Sequence, residues 1–408
     1  MDTLPITTPV LPAQKSKRLI SLDALRGFDM FWIVSGEGIF HGLANGVKEK
    51  YGLVQNPKDW TIATNEHLSM LERILINISN QLHHSPWNGF TFYDLIFPLF
   101  IFISGVSMPF SYQKYFDQKK AGNHSSKAIY KALIKRTLIL ILLGIIVNGL
   151  FKWNGYENTR FASVLARIGL STFFAALIYL NFSLPKQIIW FFSILIAYYL
   201  IMVYVPVPHF GGGILTPEGN LSAYIDRLLL PGKLHRVVYD PEGLLSTIPA
   251  ICSAMMGIFV GTFIKSASPL LNTSKKLAGL FIAGTLCLIA GLVWGLFFPV
   301  NKTMWTSSFV LFAGGWSILL FTIFYYIIDV KSLKKWSMPF VWIGTNSILI
   351  YISAHGLFNF ESTSQFLFGG LISDIPMAWQ QAGLWTGVLL VQLLLLKFLY
   401  DKKWFLKI

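Results

Sequence analysis

HHSPWNGFTFYDLIFPLFIFISG runs from His83 to Gly105. From Phe92 onward it is apolar apart from Asp94. With the residues that follow, it is long enough to cross about 30 Å of hydrocarbon, which takes roughly 20 helical residues. Inside a bilayer the backbone must satisfy its own donors and acceptors, so such a segment has to be helical. The first half of the stretch sets two histidines, a serine, a tryptophan and an asparagine at the entrance of that helix. The chain as a whole repeats the apolar theme. Its 408 residues are 54% hydrophobic and only 13% charged, where soluble domains carry about a quarter charged residues. Mean hydropathy is +0.57. The fold class expected is therefore all-α, a polytopic integral membrane protein.

Ten apolar runs are long enough to span: 22–44, 91–112, 133–151, 162–182, 187–206, 244–265, 277–298, 306–329, 339–357 and 383–401. The Lys and Arg residues then orient the bundle. With the N-terminus inside, the inner segments hold 21 basic residues and the outer segments 10, the bias of a membrane protein with both termini cytoplasmic. A net charge of +14 is distributed in this topogenic way rather than as a nucleic-acid surface. Residues 1–18 read as a cytoplasmic tail and 19–408 as the transmembrane domain, with long outer loops at 45–90 and 207–243. In the first loop, apolar residues at helical spacing in NEHLSMLERILINISNQL predict a surface helix. In the second, HFGGGILTPEGN reads as irregular. The two cysteines, Cys252 and Cys287, lie in apolar runs and form no disulfide framework. Walker, GxGxxG, CxxC and HExxH patterns are absent, so nothing in the sequence points to a metal or a Rossmann cofactor.

Several residues stand out against the apolar background. Thr91 and Asp94 fit a capping box at the entrance of the helix, which would explain both. His84, Trp87 and Asn88 need another reason. A histidine close to a carboxylate at a membrane face is a general-base candidate, because imidazole changes charge near neutral pH. The first span holds Asp23, Arg26, Asp29 and Glu37, each costing about 2.5–3.5 kcal/mol at a helix centre unless paired or facing a cavity. Asp23, Arg26 and Asp29 suit a local ion-pair stack; Glu37 has no local cation and is a functional candidate. Asp240 and Pro241 in YDPEGLLSTIPA read as the N-cap and N1 of the next span. Asp240 and Glu242 lie on the same side as His84, and His235 is a rival base. Arg136 is either topogenic or a phosphate ligand. Arg160 and Arg167 share one helix face, and Arg167 must find a partner or a cavity.

Seven segments together carry a resemblance: RLISLDALRGFDMFW (18–32), the opening stretch, RTLILILLGIIVN (136–148), RFASVLARIG (160–169), YDPEGLLSTI (239–248), FPVNKTMWTSSFV (298–310) and PFVWIGTNSILIY (339–351). In this order they resemble the heparan-alpha-glucosaminide N-acetyltransferase family and its bacterial relatives. The resemblance implies acetyl-CoA as co-substrate at the cytoplasmic side and an amino-sugar acceptor, such as glucosamine, at the other. It places the active-site histidine on His84 and the aspartate of the next helix on Asp94. It places a CoA-end arginine on Arg136 and a functionally sensitive arginine on Arg160. Arg26, Arg160, Arg167 and Asn346 are grouped with the donor-binding residues. Trp87, Asn88, Asp240, Glu242 and His235 are grouped with the acceptor. Glu37 joins the catalytic set and departs from the family, which has Asn there. Only 18 residues precede the first span, so a free or cell-wall-derived amino sugar is the expected acceptor. Expected partners are that sugar, membrane lipid and a second copy of the chain, with no metal and no nucleic acid. The bacterial inner membrane is the expected location. An amino-sugar permease without chemistry is the rival from a different class.

Overall fold

A computed structural model describes residues 19–53, 67–122, 126–152, 155–266 and 271–406. The tail 1–18 and part of the first outer loop lie outside the described residues. Sixteen α-helices follow in order. The first two, α1 (Ile20–Phe31) and α2 (Glu37–Lys50), are joined by a π-turn at Trp32–Gly36. Next come α3 (Met70–Gln81), α4 (Phe92–Ser111), α5 (Gln113–Lys120), α6 (Ser126–Val147), α7 (Val164–Asn181) and α8 (Leu184–Tyr204). The order continues with α9 (Leu221–Leu229), α10 (Thr247–Lys265), α11 (Thr273–Gly295) and α12 (Ser307–Phe324). It closes with α13 (Met338–Thr345), α14 (Ser347–Ile352), α15 (Phe360–Ser373) and α16 (Met377–Asp401). Among the described residues there is no β-strand beyond two isolated bridges.

Each of the ten expected spans coincides with a helix or a helix pair. Seven helices are long and apolar enough to cross a membrane, and a bent pair, Lys335–Thr345 and Ser347–Leu357, raises that to eight. The α1–α2 rod, with Asp23, Arg26, Asp29 and Glu37, and α6, with Lys127, Lys131, Lys135 and Arg136, fall outside that set. Phenylalanines, leucines and isoleucines exposed along α8 and α11, such as Ile189, Phe192, Phe281 and Leu286, form a face that only lipid would cover. The chain is an integral membrane protein.

At the centre stands α4. Its apolar window is 78% buried, against 17% for α11. It can sit there because α10 meets it through glycine. A Cβ at Gly257 would lie 2.0 Å from the Phe102 carbonyl oxygen, and one at Gly105 2.0 Å from that of Ala254. Without side chains at those points the two backbones approach closely, as membrane helices commonly do. The start of α1 is closed from another helix: the backbone N–H groups of Ile20 and Ser21 donate to the two Asp329 carboxylate oxygens at 3.3 and 3.2 Å. That answers two of the four N–H groups a helix leaves open at its start.

The structure corrects several sequence expectations. The surface helix is present as α3, with a capping box between Ser69 and Glu72. HFGGGILTPEGN is irregular, as read, and α9 follows it within the outer loop 207–243; α15 lies between the last two spans. The span expected from 244 starts at Thr247, because Asp240 does not cap it. The Asp240 oxygens are taken by Arg160 and by the N–H groups of His235 and Glu242, so 240–243 is a turn instead. Of the expected ion-pair stack, Asp23 and Arg26 pair at 3.6 Å. Asp29 is fully buried, and neither of its oxygens has a hydrogen-bond partner.

Candidate active site

The loop before α4 is built around the Asp94 carboxylate. Oδ2 accepts from the Thr91 and Ser85 backbone N–H groups at 3.2 and 3.1 Å. Oδ1 accepts from His84 Nδ1 at 2.8 Å. The helix cap and His84 therefore do not compete for Asp94, since each takes one oxygen. A carboxylate can only accept, so Nδ1 carries the hydrogen and the lone pair of the neutral ring sits on Nε2. The His84 side chain is 51% exposed, that of Asp94 only 1%.

Trp87 and Asn88 hold this loop in place. Trp87 Nε1 donates to the Leu215 carbonyl at 2.8 Å, and its ring meets Tyr239 edge-on. Asn301, completely buried, donates to the Trp87 carbonyl at 2.8 Å and to Asn88 Oδ1 at 3.1 Å. Gly89, at φ +116°, donates its N–H to the Val300 carbonyl at 2.8 Å.

The same 298–306 segment delivers a residue that the sequence reading left without a role. Lys302 Nζ lies 3.1 and 3.2 Å from the two ring nitrogens of His84 and 3.7 Å from Asp94 Oδ1. Near-equal distances to both nitrogens put the ammonium over the ring face, away from the in-plane lone pair of Nε2. Burial pushes the Lys302 ammonium below its ordinary pKa, while Asp94 and Glu242 work the other way. One signal was available in the sequence: Lys302 is the lone basic residue of the outer segment 299–305.

His84 and Lys302 line a cavity of ≈ 180 Å³. Tyr93, Glu242, Tyr351 and His355 share its polar end; below them the wall is apolar, from Ile33 and Met30 to Phe100 and Ile168. Glu37 does not line this cavity but acts on its wall. It accepts a short hydrogen bond from the Tyr93 hydroxyl, and the Tyr93 ring lies 4.8 Å from that of His84. On its other side Glu37 meets His41 at 3.4 Å, whose ring stacks on His83.

Arg160 donates to both Asp240 oxygens, at 2.8 and 2.5 Å, and makes a short bond to Glu242. Burial works against the Arg160 charge, but these carboxylates more than offset it and hold its pKa above the ordinary value. Burial likewise works against the Asp240 charge, and Arg160 outweighs it, holding Asp240 below. Arg167 is fully buried; it donates to the Gly243 carbonyl and to Ser246, and its guanidinium lies 4.9 Å from the Trp305 ring. Both arginines thus clamp the 239–246 turn on the His84 side. His235 gives its backbone N–H to Asp240 and lines neither this cavity nor the His84 loop.

The other expected donor-side residues lie elsewhere. Arg136 sits on α6 near Tyr112, at the far end of α4. Asp94 and Tyr112 are 18 residues apart on that rod, or about 27 Å at 1.5 Å per residue. Arg136 has no carboxylate partner among the described residues. Arg26 is paired with Asp23. Asn346 pins the C-terminal segment at the break between α13 and α14, donating to the Trp404 carbonyl at 2.9 Å and accepting from Leu406 N–H at 3.0 Å. Neither Arg26, Arg136 nor Asn346 lines the His84 cavity. The cavity reaches Phe100, and about 18 Å of α4 separates Phe100 from Tyr112. Among the described residues no cluster of three or more His, Cys, Asp or Glu could hold a metal ion.

An imidazole oriented by a buried aspartate, at the polar end of an apolar slot in a membrane bundle, is where known proteins can be compared. The chain is similar to heparan-alpha-glucosaminide N-acetyltransferase. The Mus musculus protein is 28% identical over 336 residues, covering 68% of this chain and 49% of the relative. The Homo sapiens protein is 29% identical over 329 residues, covering 66% and 48%. The matched part spans about half the length of these curated relatives. No family model matches the chain. The resemblance read from the seven motifs is borne out by both relatives.

Proposed function

We propose that this protein is a transmembrane acetyltransferase. Acetyl-CoA docks at the Arg136 end, which faces the cytoplasm, and the acetyl group reaches the amine of an amino sugar at the His84 end. The observation that carries this reading is the 2.8 Å bond from His84 Nδ1 to a buried Asp94, which leaves Nε2 as the base at the cavity. The two-to-one basic bias supports the orientation, with both termini cytoplasmic and the bacterial inner membrane as the location. The heparan enzymes it matches support the amino-sugar acceptor.

The chemistry follows from charge and solvation. CoA phosphates do not enter hydrocarbon without compensation, and Arg136, lacking a carboxylate, is free to meet them. The apolar wall from Ile33 to Phe100 suits a thioester arm once the helices part below it. In the direct route, the sugar amine attacks the thioester carbon, His84 Nε2 takes the amine proton, and the departing thiolate receives it as CoA–SH. In the covalent route, Nε2 attacks the thioester carbon and CoA leaves as thiolate, taking a proton from solvent; the amine then displaces the ring from the acetyl carbon and gives one proton back to solvent, and ping-pong initial rates distinguish this from a ternary complex. Asp94 steadies the imidazolium in either case.

The test is acetyl transfer from acetyl-CoA to glucosamine by the purified protein in detergent. His84→Ala should lower turnover by at least about 10²-fold, the lower range for general-base removal. Turnover at the wild-type level in that variant removes His84 from the reaction. Uptake of unmodified amino sugar into vesicles without acetyl-CoA would mark a permease instead.

A further inference from the structure

Beside the His84 cavity lies a second one, of ≈ 490 Å³, and Ile33 and His355 line both. Its walls come from the π-turn between α1 and α2, the stretch from Ala354 to Glu361, and α16. The two cavities differ in character. The first is mostly apolar below its polar end. The second gathers an imidazole (His355), a carboxylate (Glu361), an amide (Gln392), an indole (Trp385) and exposed backbone around Gly356.

Four observations indicate a polar, cationic occupant. Gln392 is 1% exposed in the wall; its Nε2 donates to the Val34 carbonyl at 3.4 Å, and its Oε1 has no hydrogen-bond partner. A buried acceptor left open is destabilising unless something brings it a donor. Glu361 has neither an ion pair nor a side-chain hydrogen bond among the described residues. His355 Nδ1 lies 3.0 Å from the Tyr351 carbonyl, which can only accept. Its Nδ1 therefore carries the hydrogen, and Nε2 is the bare nitrogen. Finally, in a chain of net charge +14, residues 358–382 hold Glu361 and Asp374 and no Lys or Arg. No cation of that segment competes for Glu361.

We infer that this second cavity is the acceptor subsite and that it takes a small hydroxylated primary ammonium, an amino sugar. Glu361 holds the ammonium, Gln392 Oε1 receives a sugar hydroxyl, Trp385 lies along a sugar face, and the amine passes to His84 through the junction at Ile33 and His355. Only that last passage rests on the transferase reading; the binding does not.

The test measures binding to the full-length protein in detergent, without acetyl-CoA, using glucosamine hydrochloride and glucose as probes in calorimetry. Glucosamine should bind at least tenfold more tightly than glucose. Glu361→Gln should bring glucosamine down to the glucose level while glucose binding stays unchanged, which also shows that the variant is folded. Ala354→Phe, which fills the cavity, should abolish binding of both. Wild-type glucosamine affinity in both variants, or no preference for glucosamine in the wild type, overturns the assignment. Binding as expected with no acetyl transfer leaves the subsite standing and removes the transferase reading instead.

Discussion

Two ionic clusters lie on the same side of this bundle and are made of similar parts. In one, Arg160 meets Asp240 and Glu242; in the other, His84 and Lys302 meet Asp94. Both carboxylates at their centres are buried. The difference is saturation. Each Asp240 oxygen receives Arg160 and one backbone N–H, so Asp240 has nothing left to bind, and only the Glu242 edge of that cluster reaches the His84 cavity. Asp94 is equally well filled, but its partner His84 keeps one nitrogen free at a cavity wall. A closed cluster holds a turn in place, and an open one can carry a reaction. Arg160 and Arg167 belong to the first kind, although the sequence reading grouped them with the donor-binding residues.

Asp94→Asn breaks the open cluster most severely. The Asn amide can turn its NH₂ toward Nδ1 and drive the hydrogen to Nε2, closing the lone pair that the reaction needs. A change of this kind in a His–Asp pair lowers kcat by up to about 10⁴, and a loss of about 10²–10⁴ in acetyl transfer is expected here. The measurement is kcat at saturating acetyl-CoA; a loss smaller than tenfold would make Asp94 only a helix cap. Arg160→Ala breaks the closed cluster and should act on stability instead. It strands Asp240, whose side chain is 0% exposed, beside Glu242. Removing one partner of a buried pair is destabilising by about 3–5 kcal/mol. A lower thermal unfolding temperature is expected, with partial recovery in Arg160→Lys, which keeps the charge but not the two-pronged geometry. An unchanged unfolding temperature would mean that the cluster does not hold the turn.

The sequence revealed the parts of this contrast unevenly. The membrane spans were legible because bilayer thickness and backbone hydrogen bonding leave one solution for a long apolar run. His84 and Asp94 were legible because they share one short motif, with the loop of 84–91 leading into the helix that carries Asp94. Lys302 was not, since 218 residues separate it from His84 and only the packing of the 298–306 segment brings them together. The same holds for Glu37 and Tyr93, 56 residues apart. Asp240 was misassigned for a physical reason: Asp-Pro is an excellent helix start, yet Arg160, 80 residues away, outbids the helix for its oxygens. Local rules failed where a distant charge was the stronger partner.

Beside the closed cluster lies one carboxyl that it does not satisfy, and this gives the smallest test of the contrast. Asp226 on α9 is 1% exposed; its Oδ1 accepts the Leu244 N–H at 2.8 Å, and Gly243 packs against it. Burial raises its pKa to about 7; Asp240 adds to the rise, while the Leu244 N–H and Arg167 oppose it. An unfolded aspartate titrates near about 3.9. The folded state therefore binds this proton more tightly than the unfolded state does. The stability it contributes is fully present below about pH 4 and is lost as pH rises through about 7. The unfolding temperature of the wild type should fall between pH 5 and pH 8. Asp226→Asn keeps an acceptor for Leu244 but cannot ionise, so its unfolding temperature should vary less over that interval. An equal slope in the two proteins would place the titrating group elsewhere, and the region around Arg160 would then be closed at every charge.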